Sequence, residues 1–116
     1  MDSTGKLTRR REEIIAQLSQ LGPMRKGSLN EQYVDAILKD GSKHKRGPYT
    51  LYTFKEKDRT VSKRLRSGAQ VERYRRQIAA FRSFQDLTRE LALIGQRLAD
   101  VEVRDEQEES KKNSKR

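Results

Sequence analysis

The sequence predicts an α+β fold: an N-terminal helix, a small two- or three-stranded antiparallel sheet, a long C-terminal helix and a disordered acidic and basic tail. Three observations predict it. Apolar residues recur at helical spacing near the start, β-branched and aromatic residues crowd "YTLYTFKEKDRTVSKRL", and a second helical stripe extends from Val71 to Val101.

Residues 1–6 read as a flexible start. From Leu7, the positions Arg11, Ile14, Leu18 and Leu21 follow four- and three-residue steps, with Ile15 widening the stripe, so a helix is predicted over 7–21. Thr8 is its expected N-cap, and Glu12 and Glu13 sit early, where the helix dipole favours acids. Gly22-Pro23 is the stop signal, with Gly22 expected in the left-handed position.

In "LNEQYVDAILKD" the spacing Leu29, Tyr33, Ile37 suits a helix, while Tyr33-Val34 and Ile37-Leu38 suit a strand equally well. The strand is preferred, because an isolated two-stranded hairpin is marginal in water and the next segment needs a partner. "KDGSKHKRG", rich in Gly and Lys, reads as a loop. Gly47-Pro48 then opens a hairpin whose turn is Lys57-Asp58, and the sheet is placed at about residues 28–66. Ser67-Gly68 starts the long helix, predicted over 68–104. Its stripe runs Val71, Tyr74, Ile78, Phe81, Phe84, Leu87, Leu91, Ile94, Leu98, Val101, with three-residue steps around Phe84 that argue against a uniform coiled coil. Residues 105–116 have no apolar period and are expected to be disordered, leaving 7–104 as one domain.

Composition narrows the function classes. Of 116 residues, 32% are hydrophobic and 38% charged, too few apolar groups for a large core around a catalytic cleft. No cysteine is present, so disulfides and zinc–thiolate sites are excluded. No apolar run approaches the roughly 18–20 residues of a spanning helix, and "MDSTGKLTRRR" lacks the apolar run of a secretory signal. A cytoplasmic protein is expected.

Net charge is +10 and unevenly spread. Residues 1–82 carry 20 Lys/Arg against 9 Asp/Glu, whereas residues 83–116 carry 7 against 8. Localised positive charge is what a phosphate-binding surface requires; its bland counterpart is a set of solvated faces.

With Lys57-Asp58 as the turn, Phe54 faces Val61, Tyr52 faces Lys63 and Thr50 faces Leu65. One face then carries Tyr52, Phe54, Val61 and Leu65. The other carries Tyr49, Leu51, Thr53, Lys55, Thr60, Ser62, Arg64 and Arg66, a basic and polar surface of the kind that a sheet presents to a DNA groove. A one-residue slip would exchange the two faces. Arg59 beside the turn and Lys63 join the candidates on this hairpin. Arg25, Lys26, Arg75 and Arg76 are expected to hold the flanking backbone, although helix arginines also serve as ordinary exposed ion pairs.

Signals for catalysis are poor. His44 has no cysteine or second histidine to form a metal or catalytic set, and GxxxxGK[ST], GxGxxG and GxSxG are all missing. Tyr49, Tyr52 and Tyr74 among basic residues suggest a recombinase nucleophile, but the chain is too short to bury such a site. No enzyme activity, cofactor, metal or small-molecule substrate is expected.

The order "LSQLGPMRKGSL", "EQYV", "GPYTLY", "KEKDRTVSKRL" and "VERYRRQIAAFRSFQDLTREL" resembles a bacterial family of uncharacterised small proteins met near mobile elements, over about residues 15–95. The strand–strand–helix core is also similar to the arm-site DNA-binding domains of phage integrases. Members of that family usually carry a cysteine cluster before Gly-Pro-Tyr; here the place reads "DAILKDGSKHKRGPY", which removes any metal role. The resemblance implies a DNA-associated accessory factor in transposition, integration or phage recombination.

The expected function is therefore non-catalytic binding of duplex DNA through the basic hairpin face. Leu87, Leu91, Ile94, Leu98 and Val101 are expected to pair protomers as a homodimer or to dock a recombinase or transposase. A helical protein-interaction adaptor is the alternative from another class. RNA binding in a ribonucleoprotein, with Tyr49 and Tyr52 stacking on bases, is a third.

Overall fold

The structure, a computed structural model, describes residues 3–114. It contains helix α1 (Ser3–Gln20), strands β1 (Ser28–Ile37), β2 (Lys43–Glu56) and β3 (Arg59–Leu65), and helix α2 (Gly68–Ser114). The strands form one antiparallel sheet in the order β1-β2-β3. This is the predicted α+β architecture with three strands, and residues 28–37 are a strand rather than a helix. The chain divides into two compact units, one of residues 22–82 and one in which α1 joins α2 from Ser83 onward. The division falls where the three-residue steps break the α2 stripe.

In the unit of residues 22–82, the expected hairpin register is the observed one: Thr50, Tyr52 and Phe54 stand opposite Leu65, Lys63 and Val61. Tyr52 is 5% exposed and is the hub of the core, with Leu65, Tyr74 and Ile78 buried around it and Leu29, Phe54 and Val71 packed on them. Its ring stacks on Phe54 and meets Tyr74 edge-on, both at 5.0 Å between centroids. Its hydroxyl donates to the Lys26 carbonyl, which ties the segment before β1 to the core. Gly27 lies in that segment with φ +123°, and a Cβ there would come within 2.6 Å of the Thr53 carbonyl oxygen. No residue larger than glycine fits so close an approach.

The Lys57-Asp58 turn places both residues at positive φ, 49° and 64°. That is the two-residue hairpin turn whose twist matches the strands, made from residues that lack the conformational freedom of Asn-Gly. Replacing Lys57 by Asn and Asp58 by Gly is expected to raise stability by about 1 kcal/mol, read from urea unfolding. An unchanged or lower midpoint would contradict this account of the turn.

Ser67 caps α2: its Oγ accepts the Gln70 N–H at 3.1 Å, and its carbonyl accepts the first helical bond from Val71. Gln70 Oε1 in turn accepts the Arg66 N–H at 3.4 Å, one residue before the cap.

In the other unit, Arg10 grips Glu90 with two hydrogen bonds, from Nε to Oε2 at 2.6 Å and from Nη2 to Oε1 at 2.8 Å, and also reaches Glu13 at 3.1 Å. One turn further along the same face of α1, Ile14 is fully buried, and Ile94 on α2 is 4% exposed. Leu7 and Val101 line one depression, so the start of α1 reaches the far end of the α2 stripe. The stripe expected to pair protomers is thus not left open. Within one chain Ile94 is buried, and Leu87, Leu91, Leu98 and Val101 are half-buried.

The hydrogen bonds from Arg10 hold the Glu90 carboxyl below the usual carboxylate range. A depressed folded pKa means that the ion pair contributes above the unfolded pKa of Glu90, and that this contribution is lost as pH falls through the folded value. Glu90→Gln is therefore expected to reduce stability at neutral pH and to flatten the acid limb of stability against pH. Parallel curves for the two proteins would contradict this.

Several expectations are corrected. The helix α1 already includes residues 3–6, so Thr8 lies inside it and is not an N-cap. Gly22 is not among the glycines with positive φ, and α1 ends at Gln20 without it. The predicted loop "KDGSKHKRG" shrinks to a tight turn, because Lys43–Gly47 belong to β2 and pair with β1. Asp40 closes that turn by accepting the Ser42 amide and hydroxyl at 2.9 and 2.6 Å. Residues 105–114 continue α2 instead of being disordered. Glu, Gln, Lys and Arg are strong helix formers, and Lys111 and Lys112 suit the negative end of the dipole.

Candidate nucleic-acid interface

The core side of the sheet is fixed by Tyr52, Phe54 and Leu65, so the strand alternation assigns every other position. The opposite, outer face carries Ser28, Asn30 and Gln32 from β1, paired with Thr53, Leu51 and Tyr49 from β2. Beyond them lie Lys55 with Thr60, Thr53 with Ser62, and Leu51 with Arg64. A bulge follows Gln32, where Gly47 and Pro48 oppose Tyr33. Gly47 has φ +127°, and a Cβ on it would lie 2.9 Å from the Gln32 carbonyl oxygen. The β1 strand keeps its alternation through the bulge, so Val34 and Ala36, paired with Arg46 and His44, continue the outer face.

The three carboxylates within the strands are Glu31, Asp35 and Glu56, paired with Thr50, Lys45 and Arg59. All three alternate onto the core-side face. The outer face carries none, and its charged side chains are Lys55, Arg64 and Arg46. Hydroxyls and amides fill the rest: Ser28, Asn30, Gln32, Thr53, Thr60 and Ser62.

Two features set the geometry of this face. The Arg64 guanidinium lies 3.7 Å over the Tyr49 ring, so the cation is held flat against the sheet with its N–H edge free to donate. Thr53 and Ser62 share a hydrogen bond of 3.2 Å between their hydroxyls. Tyr49, Arg64 and Arg66 also line a cleft of about 700 Å³ with Ser67, Gly68 and Glu72. The α2 N-terminus opens on this cleft, where its dipole favours an anion. Glu72 is the acidic group there, and Arg75 partners it at 3.4 Å.

The candidates therefore separate. Tyr49, Thr53, Lys55 and Arg64 share the outer face, and Arg66 adjoins it across the cleft. Arg59 and Lys63 alternate onto the core-side face with Glu56 and Tyr52, so they are not part of the outer surface. Arg25 was expected to hold backbone phosphates. Instead its guanidinium sits 4.0 Å over the Tyr74 ring, and Nε donates to Gln77 Oε1 at 2.7 Å. Its backbone N–H donates to the Gln77 carbonyl at 3.1 Å. Arg25 is thus a core clasp. The Lys26 side chain is exposed, while its carbonyl serves Tyr52. Arg75 lines a depression with Leu29, Ala79 and Arg82, and Arg76 one with Gly22, Pro23 and Gln77, so the two arginines leave α2 on different sides.

Sequence reasoning missed Asn30, Gln32, His44 and Arg46. The alternation in "SLNEQYVDAI" carries the signal once that segment is a strand paired with β2.

Among the described residues there is no cluster of His, Cys, Asp or Glu able to hold a metal, and no helix is long and apolar enough to cross a membrane. Comparison with protein-family models, with curated proteins and with solved structures finds no match to this chain.

Proposed function

We propose that the protein binds duplex DNA, without catalysis, through the outer face of its sheet. The observation that carries this reading is the sorting of charge: every strand carboxylate lies on the core-side face, while Lys55, Arg64 and Arg46 share the outer one. A face that merely kept the protein soluble would have no reason to exclude acids. A sheet of this kind fits the major groove, where Asn, Gln, Ser, Thr and Arg side chains reach base edges. Work in transposition, integration or phage recombination, and a place at the bacterial nucleoid, are proposed from the resemblance of "GPYTLY" and its neighbours alone.

The RNA reading loses one of its two stacking groups, since Tyr52 is buried and only Tyr49 remains on the surface. The test is a titration of the purified protein with short duplex DNA between about 50 and 200 mM salt, with competing RNA. Each neutralised phosphate adds about 0.9 to the slope of log affinity against log salt, so a slope of about −3 or steeper is expected. A flat curve, or displacement by RNA at lower concentration than by DNA, would sink the reading.

A further inference from the structure

β2 pairs with β3 only from Thr50 to Glu56, whereas it pairs with β1 out to Lys43. Beyond the Gly47-Pro48 bulge, the sheet therefore continues as a two-stranded ribbon of Tyr33–Ile37 against Lys43–Arg46, with both faces and one edge of β2 in solvent. Its composition is unusual for an exposed ribbon. Ile37 is 74% and Tyr33 58% exposed, with Val34 and Leu38 also open. The β2 limb reads Lys43, His44, Lys45, Arg46. Of the two acids on the ribbon, Asp35 stands opposite Lys45, and Asp40 is engaged by Ser42 at the tip.

Basic and apolar groups on one ribbon have few occupants that satisfy both. A second copy adding a strand to the open edge of β2 would bring Lys43, Lys45 and Arg46 against their own kind, and lysine on an edge strand disfavours such pairing. A DNA groove supplies phosphates for the cations and sugar and base surfaces for the apolar side chains, and a two-stranded ribbon fits its width.

Resting on the duplex-binding reading above, we propose that this ribbon is a second DNA-contacting element. It lies in the groove next to the stretch covered by the outer face, with Val34 and Ala36 against the groove, Arg46 on a phosphate beside them, and Lys43 and Lys45 reaching phosphates from the ribbon's other face. Four paired residues at about 3.4 Å each extend about 14 Å, or roughly four base pairs of duplex.

The test compares the full chain with the variant Val34→Ser, Lys43→Ser and Lys45→Ser, which leaves the outer-face arginines in place. All three positions are exposed, so folding, checked by circular dichroism, is retained. Expected are a nuclease-protected length shorter by roughly four base pairs and a salt slope shallower by about 2. Val34→Ser alone is expected to weaken binding without changing the slope. If protected length and slope stay unchanged while Lys55→Glu with Arg64→Glu still abolishes binding, the ribbon proposal falls and the outer-face reading stands. If the unaltered protein binds no duplex, both fall. If the ribbon variant changes only the sedimentation of the protein, its occupant is protein, and the proposal is overturned.

Discussion

Replacing Lys55 and Arg64 together by glutamate is expected to weaken duplex binding on the order of 100-fold at roughly 100 mM salt. Two phosphate contacts are lost and two like-charge repulsions are gained, and the flat seat of Arg64 on Tyr49 disappears with them. The control is built into the same sheet. Arg59→Glu with Lys63→Glu changes the net charge by the same amount, but on the core-side face, and is expected to cost less than about 5-fold through the long-range field alone. Equal losses for the two pairs, measured on one duplex at one salt concentration, would mean that net charge rather than a face binds DNA. Arg64→Glu with Arg66→Glu separates the adaptor reading: it abolishes function if the face binds DNA and spares it if α2 alone does the work.

Tyr52→Ala is expected to unfold the unit of residues 22–82. Removing a buried aromatic side chain typically costs about 3–5 kcal/mol, comparable with the whole stability of a marginal domain of about 5 kcal/mol. Here the loss also releases the ring contacts to Phe54 and Tyr74 and the tie to Lys26. Tyr52→Phe keeps the ring and gives up only the hydrogen bond, for about 1 kcal/mol. Urea unfolding followed by circular dichroism measures both. A Tyr52→Ala protein with native ellipticity and midpoint would show that the core is organised around another residue.

These two outcomes depend on features of very different legibility. The β2–β3 register could be read from the sequence because Lys57-Asp58 sits midway between two alternating runs, and a two-residue turn there sends Tyr52, Phe54, Val61 and Leu65 to one side. The start of α2 was equally legible in Ser67-Gly68. The ribbon was not: Lys43–Gly47 carry no alternating apolar signal, because both faces of a ribbon meet water, so a strand there resembles a loop. Arg25 misled for a related reason. An arginine held by Tyr74 and Gln77 has the same letter as one waiting for phosphate, and the choice depends on residues about fifty positions away. Residues 105–114 show that helix propensity needs no apolar stripe, and that a lack of one is weak ground for expecting disorder.

The Arg10–Glu90 clasp joins residues 80 positions apart, while the sheet is a meander of neighbouring strands followed directly by α2. Local pairings close cheaply and early, whereas a loop of that length costs entropy before its contacts repay it. The order of assembly follows: sheet and first turns of α2 first, α1 last. Weakening the clasp should then quicken unfolding and leave the rate of folding nearly untouched.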